Sequence, residues 1–126
     1  MNTIIPTDKE AEFIEAYFEA INFTDGDIEE QSDQDYDYDE DFARESVIDC
    51  LAFYSSIACY LSFLSKKRGQ FNYIAQAGHD FWFTRNGHGV GFWDRPEIYS
   101  KAFSDMFTTR AQGFGEVIPY YTERMS

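Results

Sequence analysis

Gly78-His79-Asp80-Phe81-Trp82-Phe83-Thr84-Arg85-Asn86-Gly87-His88-Gly89-Val90-Gly91-Phe92-Trp93-Asp94-Arg95 is the stretch on which the reading of this chain turns. Asn86-Gly87 is a strong signal for a tight two-residue turn, because both residues tolerate the positive φ that a type I′ turn requires. Runs rich in aromatic residues flank it on both sides, so the pattern predicts a β-hairpin with strands over 80–85 and 90–94. In that register Arg85 faces His88, Phe83 faces Val90, Phe81 faces Phe92 and Asp80 faces Trp93. One face would carry Phe81, Phe83, Val90 and Phe92 toward helices. The other would carry Asp80, Trp82, Thr84, Gly91 and Trp93, with Gly91 leaving room for the Trp82 indole.

Outward from this stretch the pattern is helical. Thr7-Asp8-Lys9-Glu10 fits a capping box. Phe13, Ile14, Tyr17, Phe18 and Ile21 follow at helical spacing, with Glu10, Glu12, Glu15 and Glu19 mostly outside. A second helix is expected over roughly 41–65, where Val47, Cys50, Leu51, Tyr54, Ile57, Ala58, Leu61 and Leu64 form one stripe. A membrane span competes for that segment, since Lys66-Lys67-Arg68 follows it. Asp49, Ser55, Ser56 and Ser62 interrupt the run, which falls short of the roughly 20 predominantly apolar residues a span needs. Residues 69–77 read as a connector. Pro96 suits the first turn of a third helix bearing Ile98, Tyr99, Ala102, Phe103, Met106 and Phe107, with Gly113 and Gly115 ending it. Asp94 is placed to cap that helix. Glu116 to Thr122 reads as a last strand, which Pro119 restricts to an edge.

These elements predict a single domain over 1–126 of class α+β: about three helices packed on a small antiparallel sheet made by the central hairpin and the C-terminal strand. A chain of 126 residues supports one core, and the 19% aromatic content points to large rings within it. Trp82, Trp93, Phe81 and Phe92 are expected to be mainly structural. Cys50 and Cys59, nine residues apart on one helix, face roughly opposite ways and read as two buried thiols in a reducing cytoplasm. Met1 to Pro6 lacks the basic start and apolar run of a secretory signal.

Charge is the second strong feature. The net is −13, and it is unevenly spread. Met1 to Asp49 holds seventeen acidic residues against Lys9 and Arg44, whereas Cys50 to Ser126 holds six acidic and eight basic residues. Residues 25–41 form an acidic insertion. Its plain reading is a solvated linker. A calcium loop is the sharper alternative, and spacing rules it out: the sixth and twelfth positions, which want Gly and Glu, hold Tyr38 and Arg44 counted from Asp33, and Glu30 and Tyr36 counted from Asp25.

The 78–95 stretch resembles the G-H-D-F-W-L-T-R-N-G-H-G-A-G-F-W-D-R segment of small proteins encoded by tailed bacteriophages and related mobile elements. Phe83 stands where Leu is usual and Val90 where Ala is usual. The resemblance implies a phage-type source and no particular reaction.

His79, Asp80, Arg85, Asn86, His88, Asp94 and Arg95 are the motif's polar residues. About six strand residues at roughly 3.3 Å each would separate His79 from His88, too far for one metal. His79, Asp80, Asp94 and Arg95 could converge at the hairpin's open end. Arg85 at the turn end could stack on aromatic rings and bind an anion, or be an ordinary turn residue. The chain has no nucleophile elbow, phosphate-binding loop or zinc-protease motif, and implies no catalytic residues, metal or cofactor.

Direct nucleic-acid binding is disfavoured, since phosphates repel such a chain. Acidity points instead to a basic partner protein whose nucleic-acid groove the carboxylates would occupy in place of phosphate. With the phage-like resemblance this implies an inhibitor and DNA mimic acting on a host nucleic-acid-binding defence protein, restriction enzymes and CRISPR effectors by class analogy. The expected contacts are Asp25, Asp27, Glu29, Glu30, Asp33, Asp35, Asp37, Asp39, Glu40 and Asp41. Two other readings stand beside it: a ligand-binding or catalytic protein using the 78–95 stretch, and a partner in virion or replication assembly.

Overall fold

A computed structural model describes residues 5–24, 36–68, 71–87, 89–119 and 121–123. Helix α1 runs over Asp8–Thr24, α2 over Glu40–Arg68, α3 over Tyr73–Arg85, α4 over Pro96–Tyr99 and α5 over Lys101–Gln112. A turn of 3₁₀ helix covers Phe92–Asp94. Strands β1 (Tyr36–Tyr38) and β2 (Tyr121–Glu123) pair antiparallel, with Tyr36 opposite Glu123 and Tyr38 opposite Tyr121.

The fold is therefore helical, and the expected α+β architecture is wrong. The three-residue ladder ties the segment just before α2 to the one following α5 and offers no sheet layer for helices to pack on. The central hairpin does not form. Its first half lies within α3, and Asn86-Gly87 ends that helix. Gly87 does take a positive φ, +66°, but Asn86 stays at −102°. A glycine in the left-handed region serves the residue after a helix C-terminus as well as it serves a hairpin turn. The second half returns as an irregular strand-free segment into the 3₁₀ turn. The expected C-terminal strand is confined to Tyr121–Glu123 among the described residues, with 115–119 irregular.

Local chemistry explains the helix ends. Thr7 and Glu10 form the reciprocal capping box: the Thr7 amide donates to Glu10 Oε1 at 2.9 Å, and the Glu10 amide to Thr7 Oγ1 at 3.2 Å. Asp39 caps α2, its carboxylate accepting from the amides of Asp41 and Phe42. Asn72 caps α3 by accepting from the Ala75 amide. The expected third helix is broken in two at Ser100, whose φ of +81° is rare for a residue with a side chain; its hydroxyl accepts from the Phe103 amide and starts α5. Asp94 does not cap α4. It lies exposed in the 3₁₀ turn, and Arg95 holds the cap position without a side-chain bond to the helix amides.

The core is built of rings. Phe53 of α2 stacks flat on Phe81 of α3, centroids 4.3 Å apart, and Phe13, Phe92 and Phe114 surround that pair. Tyr99 and Phe107 extend the cluster through Phe92. Phe81, Trp82 and Phe92 are buried as expected; Trp93 is exposed over part of its surface. Cys50 is buried, but Cys59 is exposed, correcting the reading of two buried thiols. At 29 residues α2 is longer than the sequence pattern suggests, and it is long and apolar enough to cross a membrane by length and composition alone. Length therefore does not decide that question. Its Phe53, Ile57, Leu61 and Leu64 face the common core.

Helices α1 and α3 approach each other closely at Gly78. A Cβ at Gly78 would lie 2.5 Å from the Phe13 carbonyl oxygen and 2.8 Å from the Ala16 side chain. Ala exceeds Gly in helix propensity by about 1 kcal/mol, so an uncrowded Gly→Ala change stabilises. At Gly78 the backbone of α1 stands in the way. Gly78→Ala is expected to destabilise by about 1–3 kcal/mol, the usual range for overpacking, read from urea unfolding.

Candidate functional site

Two ionisable side chains of the 78–95 stretch are buried, five residues apart on α3. Asp80 accepts from Arg95 Nε at 3.2 Å on both oxygens, from the Tyr99 hydroxyl at 2.9 Å and from Gln76 at 3.3 Å. Burial raises its pKa above the ordinary 3.8, against the opposing effects of Arg95, Tyr99 and Gln76. The Tyr99 hydroxyl is itself pushed well up, by burial and then by the neighbouring Asp80 charge, so it serves as a donor.

Arg85 has a side chain only 1% exposed. Its Nε donates to the Gly115 carbonyl at 2.8 Å, one Nη to the Phe114 carbonyl at 3.2 Å, and the other to the Tyr17 hydroxyl at 3.1 Å and Asp49 at 3.0 Å. The guanidinium also lies 5.3 Å from the Phe81 ring centroid and 5.9 Å from that of Phe114. The aromatic stacking expected of Arg85 is present, but the side chain is committed to internal partners. Asn86 continues the tie: its Oδ1 accepts from the Val117 amide at 2.8 Å and its Nδ2 donates to the Trp82 carbonyl. Thr84 accepts from the Phe92 amide at 3.0 Å, which returns the chain onto α3. Gly91 makes room, though for Thr84 and the Trp93 ring rather than for Trp82.

The remaining motif residues lie elsewhere. His79 contacts Glu19 of α1 at 3.1 Å, a distant partner in sequence. Asp94 is exposed whereas Asp80 is fully buried, and His88 lies outside the described residues. His79 and Arg95 do share a groove of about 550 Å³ with Phe23, Phe83 and Val90. Of the four residues expected to converge, only Asp80 and Arg95 bond to one another.

Among the acidic candidates, Asp25, Asp27, Glu29, Glu30, Asp33 and Asp35 lie outside the described residues. Asp37 is in β1, opposite Thr122. Asp39 is occupied as a helix cap, Asp41 pairs with Arg44, and Glu40 is exposed. The structure brings to the expected Asp39 and Asp41 two further carboxylates that sequence reading missed, Glu45 and Glu116. Asp39, Asp41, Glu45 and Glu116 surround a cleft of about 670 Å³ whose apolar lining is Phe42, Val117 and Ile118. Ile118 is 73% exposed. In sequence Glu116 and Ile118 read as strand residues, so no helical period points from them to Glu45. Among the described residues no group of three His, Cys, Asp or Glu side chains has a metal-holding arrangement.

Comparison with protein-family models, curated proteins and solved structures finds no match to this chain.

Replacing Arg85 with Met would leave two carbonyls, a hydroxyl and a carboxylate without their donor. Breaking a buried charge pair on one side costs about 3–5 kcal/mol, and a loss of that size is expected in denaturant unfolding of Arg85→Met. Asp80 gives a prediction with a sign. A folded pKa above the unfolded one means the native state binds the proton more tightly, so this group's contribution is full below 3.8 and is lost as pH rises through the folded value. The stability of wild type relative to Asp80→Asn is therefore expected to grow as pH falls from neutral toward 3.8. A difference that shrank over that range would mean a lowered pKa.

Proposed function

We propose that the protein is a small acidic accessory protein of phage type that binds a basic, nucleic-acid-binding host protein in the cytoplasm and occupies its groove in place of phosphate. The observation that carries this reading is the acid-rimmed apolar cleft beside the start of α2. Glu45 and Glu116 supply charge at its rim, and Ile118 supplies exposed apolar surface. A partner's basic segment with one apolar side chain fits that chemistry: carboxylates steer and orient it, and apolar burial holds it. The adjoining sequence from Asp25 to Asp41 lengthens the acidic run. The buried commitments of Asp80 and Arg85 support the same choice, because they leave the 78–95 stretch with a structural task. The phage-like resemblance supports a host protein as the target.

Neutralising Asp33, Asp35, Asp37, Glu40, Glu45 and Glu116 to the amides spares the Asp39 cap. The six changes together are expected to slow association with a captured host protein by on the order of tenfold or more, since steering contributes one to three decades to on-rates. Wild-type association should weaken steeply with added salt. Nucleic acid should compete for the captured protein. Equal capture by both variants, without nucleic-acid competition, would refute the mimic reading.

A further inference from the structure

The opposite end of α2 carries a different surface. A groove of about 660 Å³ lies between the first turn of α1, the C-terminal half of α2 and the start of α3. Lys9 and Lys66 both line it, along with Tyr54, Ser62, Phe71 and Tyr73. Neither lysine has a carboxylate partner among the described residues. Among the described cationic side chains, Arg44, Arg85, Arg95 and Lys101 each have a carboxylate partner, while Lys67 and Arg110 have none but each lies over an aromatic ring, so Lys9 and Lys66 are set apart by having neither.

Helix electrostatics explains only one of them. Lys66 sits in the last turn of α2, where a cation complements the helix dipole. Lys9 sits in the first turn of α1, where a cation opposes it. The carboxylate one turn on from it, Glu12, accepts instead from the Asn72 side chain. Phe71 is also left open, 45% exposed, with its ring 4.9 Å from Tyr73 in an edge-on arrangement. Burial, followed by Glu10 and Glu12, raises the Tyr54 pKa, so that hydroxyl remains a donor at neutral pH.

We propose that this groove binds a phosphomonoester carried on a planar ring, of the mononucleotide class. Two lysines without internal partners match a dianion, and a phosphomonoester carries close to two charges at neutral pH. The open Phe71 ring offers a stacking surface for a base. The volume is that of a single small-ligand site. A longer nucleic acid is disfavoured because its further phosphates would run over an acidic surface.

The test is isothermal titration calorimetry of the full chain with the common ribonucleoside monophosphates, with the matching nucleosides and inorganic phosphate as half-ligands. At least one monophosphate is expected to bind, and each half-ligand to bind on the order of tenfold more weakly or less. Lys9→Gln and Lys66→Gln should each weaken binding by about tenfold, equivalent to about 1.4 kcal/mol. Phe71→Ala should weaken the nucleotide but leave inorganic phosphate unchanged. Both lysines are at the surface, so circular dichroism of the glutamine variants should match wild type. The proposal is overturned if no monophosphate binds at millimolar concentration, or if the glutamine variants bind as wild type does. Tighter binding of a single-stranded oligonucleotide through the same lysines would also overturn it, in favour of a nucleic-acid surface.

Discussion

The guanidinium of Arg85 is the interaction on which the assembly depends. A buried, unpaired charge is prohibitively costly, so the side chain can be interior only when its donors meet acceptors there. Those acceptors come from three other parts of the chain: Tyr17 on α1, Asp49 on α2, and the carbonyls of Phe114 and Gly115 just beyond α5. None of these segments can leave without stranding the charge. The same requirement brings the C-terminal segment back to the end of α3, where Asn86 receives the Val117 amide. Asp80 repeats the arrangement toward the other side, binding Arg95 before α4 and Tyr99 within it. Helix α3 thus presents one buried guanidinium and one buried carboxyl group, and its neighbours are arranged around them.

That arrangement accounts for which parts of the fold could be read from the sequence. Helix α1 was legible in full, because its capping box is local and its apolar period is regular. The core stripe of α2 was legible for the same reason. Helix α3 was not, and the cause is specific. Its buried positions include Asp80, Thr84 and Arg85 beside Tyr73, Ala77 and Phe81, so a search for apolar period sees an interrupted pattern. The three consecutive aromatics Phe81, Trp82 and Phe83 then suggested strands. Asn86-Gly87 completed the misreading, since Gly87 needs a positive φ in either structure. Gly78 held a correct clue, as a mid-helix glycine admits a second helix at close range, but nothing in the sequence identified α1 as that partner.

The surface was legible in charge and not in shape. Sequence shows the excess of carboxylates before Cys50; it does not show that Glu45 and Glu116 meet around Ile118. It likewise shows Lys66 and leaves Lys9 looking like part of a capping box. The two clefts lie near opposite ends of α2, and Phe42 and Ser62 are about 30 Å apart at 1.5 Å per residue. The acidic end suits a basic partner and the basic end a small anion.

The most direct test of this account is hydrogen exchange at the Arg85 Nε–H, followed by nuclear magnetic resonance on a sample labelled with nitrogen-15. An arginine held by internal acceptors should show a resolved Nε–H signal that exchanges as slowly as the buried amides of α3, and that does not move when anions are added. A signal that exchanges as fast as a solvated arginine, or that shifts with added anion, would contradict the claim that this charge organises the fold.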